Sequence, residues 1–77
     1  MQIAVNVFLK NGVLDPQAKA VENALHALNF NQVQDIKMAK QIIITLDTDD
    51  EKEAKNLVKQ MCDALLVNAV IEEYEFV

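Results

Sequence analysis

The chain is poor in the residues that usually bend or cross-link a small domain. Its 77 residues include one glycine, one proline, one cysteine and no tryptophan. The single cysteine, Cys62, excludes an intramolecular disulfide, and no group of cysteines and histidines has the spacing of a zinc site. A domain of this length buries only about 60% of the surface that its unfolded chain exposes. Because neither disulfides nor a zinc site can add stability, we expect the chain to gain it by association.

Arginine is also absent, and this limits the classes of partner. All seven cations are lysines, and twelve acidic residues give a formal net charge of -5 at pH 7. Affinity for nucleic acid comes largely from cations that neutralise phosphates, and a bidentate phosphate or carboxylate fork requires arginine. We therefore expect no nucleic-acid partner.

Long apolar runs are missing as well. No run approaches the roughly 20 residues that a membrane-spanning helix needs, and the N-terminus lacks the basic region and cleavage site of a signal peptide. The free thiol suits a reducing compartment. The sequence therefore predicts a soluble, cytoplasmic protein with no membrane partner.

Hydrophobic patterning divides the chain, taken as one domain of residues 1–77, into four predicted strands and two predicted helices. Alternating or β-branched residues predict strands at residues 3–9, 32–38, 41–46 and 70–77. Asp15 and Pro16 have the pattern of an N-cap followed by a first helical position. Asn29 and Phe30 have the pattern of a Schellman end, which predicts the first helix between these two pairs.

Apolar stripes and short polar segments complete the pattern. In the first helix the stripe comprises Val21, Ala24, Leu25 and Leu28, and this spacing predicts that one helix face meets a core. Thr48 and Glu51 form a capping-box pattern at the start of the second helix. Ala39 and Lys40 are predicted to form the hairpin turn between the second and third strands.

The element order predicts an α+β fold of the ferredoxin-like βαββαβ type. Right-handed crossovers then give a four-stranded antiparallel sheet in the order 4-1-3-2, with two helices on one face. The other face carries Ala4, Phe8, Ile43 and Thr45, and no predicted element covers it. We expect that exposed apolar face to mediate oligomerisation.

No combination of titratable residues has the pattern of a catalytic site. His26, the only histidine, lies off the apolar stripe and is interpreted as a surface residue. Cys62 has no basic neighbour that would activate it and is interpreted as a packing residue. The acidic residues at 47–51 match no calcium loop and suit a helix N-terminus. We therefore predict no catalytic, cofactor-binding or metal-binding residue in this chain.

Four segments together resemble the PurS family, the small subunit of phosphoribosylformylglycinamidine synthase. They are V-x-V-F-L-K at the end of the first strand, GVLDPQ at residues 12–17, A-V-x-x-A-L-x-x-L from Ala20 to Leu28, and VIEEY at residues 70–74. The chain departs from the family pattern at Ala18, at Ala39 and at Ala69, where the family often has glycine, glycine and proline. These departures concern the hairpin turn and the start of the last strand.

The resemblance implies a non-catalytic subunit of an ATP-dependent, glutamine-using C–N ligase in purine biosynthesis. Such a complex converts formylglycinamide ribonucleotide to formylglycinamidine ribonucleotide. The small subunit is expected to form a homo-oligomer, a dimer or a tetramer, to bridge the glutaminase and synthetase subunits and to assist ammonia transfer. ATP, Mg and glutamine are used by the complex, and no cofactor is expected on this subunit. Its interface is predicted to include Phe8, Gly12, Asp15, Gln17, Ile43 and Tyr74.

Two other functions are compatible with the same predicted topology. A ferredoxin-like regulatory module would bind a small molecule, such as an amino acid, at a dimer interface. An RNA-binding module would need basic and aromatic residues on the open sheet face, and Phe8 alone in an acidic chain does not meet this need.

Overall fold

The computed structural model describes all residues from 1 to 77 and contains three strands, two α-helices and a π-helical turn. In chain order these are β1 (Gln2–Leu9), α1 (Pro16–Ala27), β2 (Ala39–Thr45), α2 (Glu51–Met61), the π-helical turn (Cys62–Leu66) and β3 (Glu72–Phe76). Neither α-helix is long and apolar enough to cross a lipid bilayer.

The helix ends follow local chemistry. Asp15 caps α1, because its side chain accepts hydrogen bonds from the backbone N–H groups of Gln17 and Ala18 at 3.0 and 3.2 Å. At α2 the predicted capping box of Thr48 and Glu51 is wrong. Asp50 is the N-cap there, and the hydroxyl of Thr48 accepts from the Asp50 N–H. The acidic side chain that lies nearest the helix start therefore takes the capping role.

The sheet has three antiparallel strands in the order β2-β1-β3, with β1 in the centre. The prediction of a four-stranded sheet in the order 4-1-3-2 is wrong, since residues 32–38 form no strand. The three strands that do form have the neighbours that the predicted order assigns to them. The outer edge of β2, where the missing strand was expected, has no strand beside it.

The missing hairpin has a local cause at Ala39 and Lys40. Two-residue hairpin turns require positive φ angles, which asparagine and glycine adopt readily and alanine and lysine do not. The only residues with positive φ are Gly12, at 86°, and Asn29, at 71°. The chain therefore enters β2 at Ala39 without reversing, and residues 32–38 do not fold back along it.

The core lies between one face of the sheet and α2. It consists of Ile3, Val5 and Val7 from β1 together with Ala54, Val58 and Cys62. No residue of α1 belongs to this cluster, so the prediction that two helices cover one sheet face is wrong. Only α2 covers it.

Instead of packing on the sheet, α1 extends away from it with the segment that leads back to β2. We refer to residues 16–38 as the arm. The molecule measures 49 × 24 × 14 Å and has a Cα radius of gyration of 16.1 Å, whereas a compact domain of this length has about 11.5 Å. Gly12, with its positive φ in the connection between β1 and α1, lies where the chain changes direction into the arm.

The apolar stripe of α1 is consequently exposed. Val21 and Leu28 are 42% and 66% exposed, and only Leu25 of the stripe is half-buried. The buried residues of the helix are Ala18 and Glu22, which lie on the side of the helix next to Leu25. The spacing thus predicted a helix correctly, but it did not predict that the stripe lacks a partner within the chain.

Candidate partner-binding surfaces

The face of the sheet opposite α2 is uncovered, as the sequence predicts. Side chains of β1 alternate, so Ala4, Asn6 and Phe8 point away from the core. The strand register places Ile43 beside Ala4, while Phe8 lies between Ala39 of β2 and Glu73 of β3. We refer to this surface as the open face.

The open face changes in character from one edge to the other. On the β2 side, Ile43 is 59% exposed. In the middle, Gln41 donates a hydrogen bond from Nε2 to Oδ1 of Asn6 at 3.2 Å. On the β3 side, Glu73 and Glu75 are exposed. An apolar patch with a polar and acidic rim is typical of a protein interface rather than of a buried core.

A groove of about 580 Å³ lies between the end of β1, α1 and the segment that leads into β2. Its walls come from three parts of the chain: residues 8–15, one face of α1, and residues 34–38. Three of the predicted interface residues, Phe8, Gly12 and Asp15, line this groove. The corner GVLDPQ therefore forms part of a concave surface.

Two lysines of the groove donate hydrogen bonds to neighbouring side chains. Lys19 donates from Nζ to the carboxylate of Glu22 at 2.9 Å, and the Glu22 side chain is only 10% exposed. This hydrogen bond favours both charged forms, so it lowers the pKa of Glu22 and raises the pKa of Lys19. Across the groove, Lys37 donates to Oδ1 of Asn11 at 3.4 Å. A buried carboxylate on α1 was not foreseen, because a charged residue in a helix is usually exposed.

Gly12 and Gln17 lie at the two ends of the corner. Gly12 adopts a φ of 86°, and no atom lies within 4 Å of the position that a Cβ would occupy. The glycine is therefore required by its backbone angle and not by a lack of space. Gln17 is exposed in the first turn of α1, and its side chain makes no hydrogen bond within the chain.

Tyr74 is separate from the other predicted interface residues. It pairs with Val7 and packs on the core side of the sheet, with its ring 6.1 Å from that of Phe76 in an edge-to-face arrangement. Burial is the main cause of its raised pKa. Tyr74 lines a smaller cleft of about 390 Å³, which also includes Lys10 and Cys62. The six predicted residues thus occupy three regions: the groove and its rim, the open face, and this cleft.

Cys62 and His26, the only thiol and the only imidazole of the chain, both make structural contacts. Cys62 is buried in the core, and burial raises the pKa of its thiol. This agrees with its interpretation as a packing residue. His26 is exposed, as interpreted, and its Nε2 donates to the carbonyl oxygen of Val33 at 2.8 Å, which ties α1 to the following segment. No three side chains of the metal-ligand types cluster around a common point.

Association is also indicated by the total surface. Only 8 of the 77 residues are buried. The accessible surface is 5862 Å², whereas a compact monomer of this mass exposes about 4,700 Å². The short length of the chain predicts association. The sequence did not predict that residues of the arm would be largely exposed.

Comparison with known proteins gives one consistent result. The family model described as "PurS: Phosphoribosylformylglycinamidine (FGAM) synthase" matches residues 2–77. Phosphoribosylformylglycinamidine synthase subunit PurS of Bacillus subtilis is 44% identical over 75 residues, which cover 97% of this chain and 88% of the relative. The subunit of the same name from Methanocaldococcus jannaschii is 39% identical and covers 92% of this chain and 86% of the relative.

Solved structures agree with these matches. Methanocaldococcus jannaschii PurS, described as one of the subunits of formylglycinamide ribonucleotide amidotransferase in the purine biosynthetic pathway, superposes with a TM-score of 0.88 at 37% identity. That alignment covers 99% of this chain and 92% of the other. A chain in the structure of PurLQS from Thermotoga maritima superposes with a TM-score of 0.88 at 30% identity, covering 99% of this chain and 93% of that one.

Proposed function

Because this chain belongs to the PurS family and is a subunit of FGAM synthase in purine biosynthesis, we propose that it is the non-catalytic adaptor of that complex. In this role it forms a homo-oligomer, bridges the glutaminase and synthetase subunits, and assists the passage of ammonia between them. The complex uses ATP, Mg and glutamine, and this subunit binds no cofactor. The chain acts as one domain of residues 1–77 in the cytoplasm.

The surplus of exposed surface is the observation that best supports an adaptor. A chain that buries 8 of its 77 residues has little core of its own and a large area to offer to partners. That area includes an open sheet face, a groove and an apolar helix stripe, which lie on different parts of the molecule. Several separate surfaces suit a subunit that must contact more than one neighbour.

An adaptor role also agrees with the chemistry of the side chains. The only thiol is buried in the core, and the only imidazole is bonded to a backbone carbonyl. Ammonia must pass between two active sites without release to solvent. A subunit at the interface of the glutaminase and synthetase subunits therefore needs a surface that fits both and excludes water, and it needs no reactive group.

We propose that the corner and the open face contact the partner subunits through the residues predicted from the sequence. Phe8, Gly12 and Asp15 lie in the groove, and Gln17 stands exposed beside it. Ile43 provides the apolar part of the open face. Tyr74 would contact a partner through the cleft on the other side of the sheet. Exposed residues near a rigid corner are well placed for recognition.

Reconstitution with the glutaminase and synthetase subunits of the same organism tests this proposal. The double variant Gly12→Asn, Gln17→Lys adds side chains at the corner, and asparagine tolerates the positive φ that position 12 requires. We expect the variant to remain folded but to lose complex formation in size-exclusion chromatography. The glutamine-dependent reaction should fall at least about tenfold, a loss of roughly 1.4 kcal/mol, while the reaction with added ammonia persists.

A matched control is Gln60→Lys, which makes the same change on an exposed position of α2 away from the corner. It should leave assembly and both reactions unchanged. Normal assembly by the corner variant would show that the corner does not dock. Full glutamine-dependent activity of the two larger subunits without this chain would overturn the adaptor role itself.

A further inference from the structure

We propose that Asn11 is a site of spontaneous covalent modification, at which the backbone nitrogen of Gly12 attacks the side-chain amide and converts the residue to aspartate and isoaspartate. The reaction needs only water, so it goes beyond the adaptor role and does not depend on it. Only its consequence for docking rests on the proposed function.

The sequence provides a single position with little steric hindrance to this reaction. Asparagine is a thermally labile residue, because its side-chain carbonyl carbon lies within reach of the backbone nitrogen of the next residue. A side chain on that next residue crowds the cyclic imide that forms, and glycine has none. Gly12 is the only glycine of the chain, so Asn11 is the only asparagine that glycine follows.

The structure leaves both reacting groups accessible. Asn11 and Gly12 are exposed, and they lie at the centre of a turn in which the Val13 N–H donates to the carbonyl oxygen of Lys10 at 3.2 Å. The Gly12 N–H donates no hydrogen bond within the chain, so its attack breaks none. No atom lies within 4 Å of the position that a Cβ would occupy on Gly12, which leaves room for the ring.

A lysine from the other wall of the groove contacts the amide that is attacked. Lys37 donates from Nζ to Oδ1 of Asn11 at 3.4 Å, and this is the only hydrogen bond of the Asn11 side chain within the chain. Negative charge develops on Oδ1 as the Gly12 nitrogen attacks, and a cation beside that oxygen stabilises it. Lys37 is therefore placed to accelerate the reaction.

The reaction balances with water as the only co-reactant. The Gly12 nitrogen loses its proton and bonds to Cγ of Asn11, the Cγ–Nδ2 bond breaks, and Nδ2 leaves as ammonia with that proton. Water then opens the cyclic imide at either of its carbonyl groups. Opening at one carbonyl gives aspartate, and opening at the other gives isoaspartate, in which the main chain runs through Cγ.

Both products change the corner. A carboxylate replaces the neutral amide beside Lys37, and isoaspartate also inserts an additional main-chain atom into the turn that leads towards α1. The groove at this turn is lined by Asn11, Gly12 and Lys37 together. Because the proposed function assigns docking to this corner, the modified chain should bind its partner subunits less tightly.

Mass spectrometry of the aged chain tests the modification. The purified chain is kept at neutral pH for several days and digested with pepsin at acid pH. The peptide that contains residue 11 should gain the mass difference between NH₂ and OH, and its aspartate and isoaspartate forms should separate in chromatography. An unchanged peptide would overturn the proposal.

Asn31 is an internal control in the same sample. It is also exposed in a turn, but Gln32 follows it, so it should react at least about tenfold more slowly than Asn11 because a side chain crowds the ring. The variant Gln32→Gly should accelerate the reaction at Asn31. Equal rates at Asn11 and Asn31 in the parent would overturn the role of Gly12.

A lysine variant tests the contact across the groove. Lys37→Met removes the cation beside Oδ1 and should slow the reaction at Asn11 about threefold. The matched control is Lys59→Met, which makes the same change on an exposed position of α2 outside the groove and should leave the rate unchanged. A Lys37→Met chain that reacts as fast as the parent would overturn the role of that lysine.

Reconstitution with aged protein tests the consequence for docking. Partly modified chain is mixed with the glutaminase and synthetase subunits, and the modified share should be at least about threefold lower in the complex than in the unbound fraction, because the corner has changed in charge and shape. Asn11→Gln aged in parallel should assemble as the fresh parent does. Equal shares in both fractions would overturn the consequence for docking and leave the modification standing. Failure of the fresh parent to assemble would instead overturn the proposed function alone.

Discussion

The backbone N–H of Phe30 donates to the carbonyl oxygen of Leu25 at 2.9 Å, and this bond closes the C-terminal end of α1. Together with the bond from the Asn29 N–H to His26, it forms the Schellman arrangement that the sequence predicts. Asn29 makes this possible by adopting a φ of 71°. The arm therefore depends on one residue with a left-handed backbone.

Replacing that residue should weaken the arm selectively. Asn29→Ala removes the short polar side chain that lets asparagine tolerate left-handed geometry, at a cost of about 1 kcal/mol, so amide exchange in the last turn of α1 should become about fivefold faster. Asn29→Gly is the matched control, because glycine adopts positive φ without strain, and it should protect these amides at least as well as asparagine. Equal exchange in the alanine and glycine variants would contradict this account of the helix end.

The N-cap of α1 gives a second prediction. Asp15→Ala removes the acceptor for the Gln17 and Ala18 N–H groups, at a cost of about 1 kcal/mol. Protection of the first-turn amides against hydrogen exchange should fall accordingly. Asp15→Asn keeps the capping oxygen and should retain most of the protection, whereas a loss equal to that of the alanine variant would indicate that the charge, and not the cap, is what matters.

A third prediction concerns the core, which is small and lies at α2. Val58 is fully buried against β1, so Val58→Ala should lower the free energy of unfolding by about 2 kcal/mol through lost burial and a cavity. Leu65 is 84% exposed in the π-helical turn, so Leu65→Ala should change it by less than about 0.5 kcal/mol. Urea unfolding at one fixed protein concentration measures both. Similar effects of the two substitutions would place the core elsewhere.

The Lys19–Glu22 pair predicts a dependence on acid. The hydrogen bond from Lys19 lowers the pKa of Glu22 below its ordinary value of 4.5, so its contribution to stability is present above pH 4.5. It is lost as the pH falls through the lowered pKa, where the carboxylate becomes protonated in the folded chain. At the basic end, the raised pKa of Lys19 means that its contribution is present below pH 10.5 and is lost above that.

Thermal melts of the parent and of Glu22→Gln across this range provide the measurement. The parent should be more stable at pH 7, and the difference should shrink as the pH falls below 4.5. Glu53→Gln is a suitable control, since Glu53 is exposed and forms no ion pair. A difference between parent and Glu22→Gln that stays constant down to the acid limit would show that the carboxylate's charge plays no part.

Local features were the most predictable from the sequence. The alternation in β1, the N-cap at Asp15 and the left-handed residue at Asn29 each depend on a few neighbouring residues, and each was found where predicted. The capping box at Thr48 failed because Asp50, two residues later, is the N-cap and accepts from the N–H groups of Lys52 and Glu53. The predicted contacts with other subunits stay predictions for all six residues, which are Phe8, Gly12, Asp15, Gln17, Ile43 and Tyr74.

The sequence by itself determined the helices, three of the four expected strands and the uncovered sheet face, because periodicity and capping act over a few residues. Only the tertiary structure decided where the arm goes. The same apolar stripe at Val21 and Leu28 could pack on its own sheet or on that of another copy, and the spacing is identical in both cases. The choice depends on the direction of the chain at Gly12, which has a positive φ, and at Ala39, where β2 begins, and α1 lies outside the core as a result.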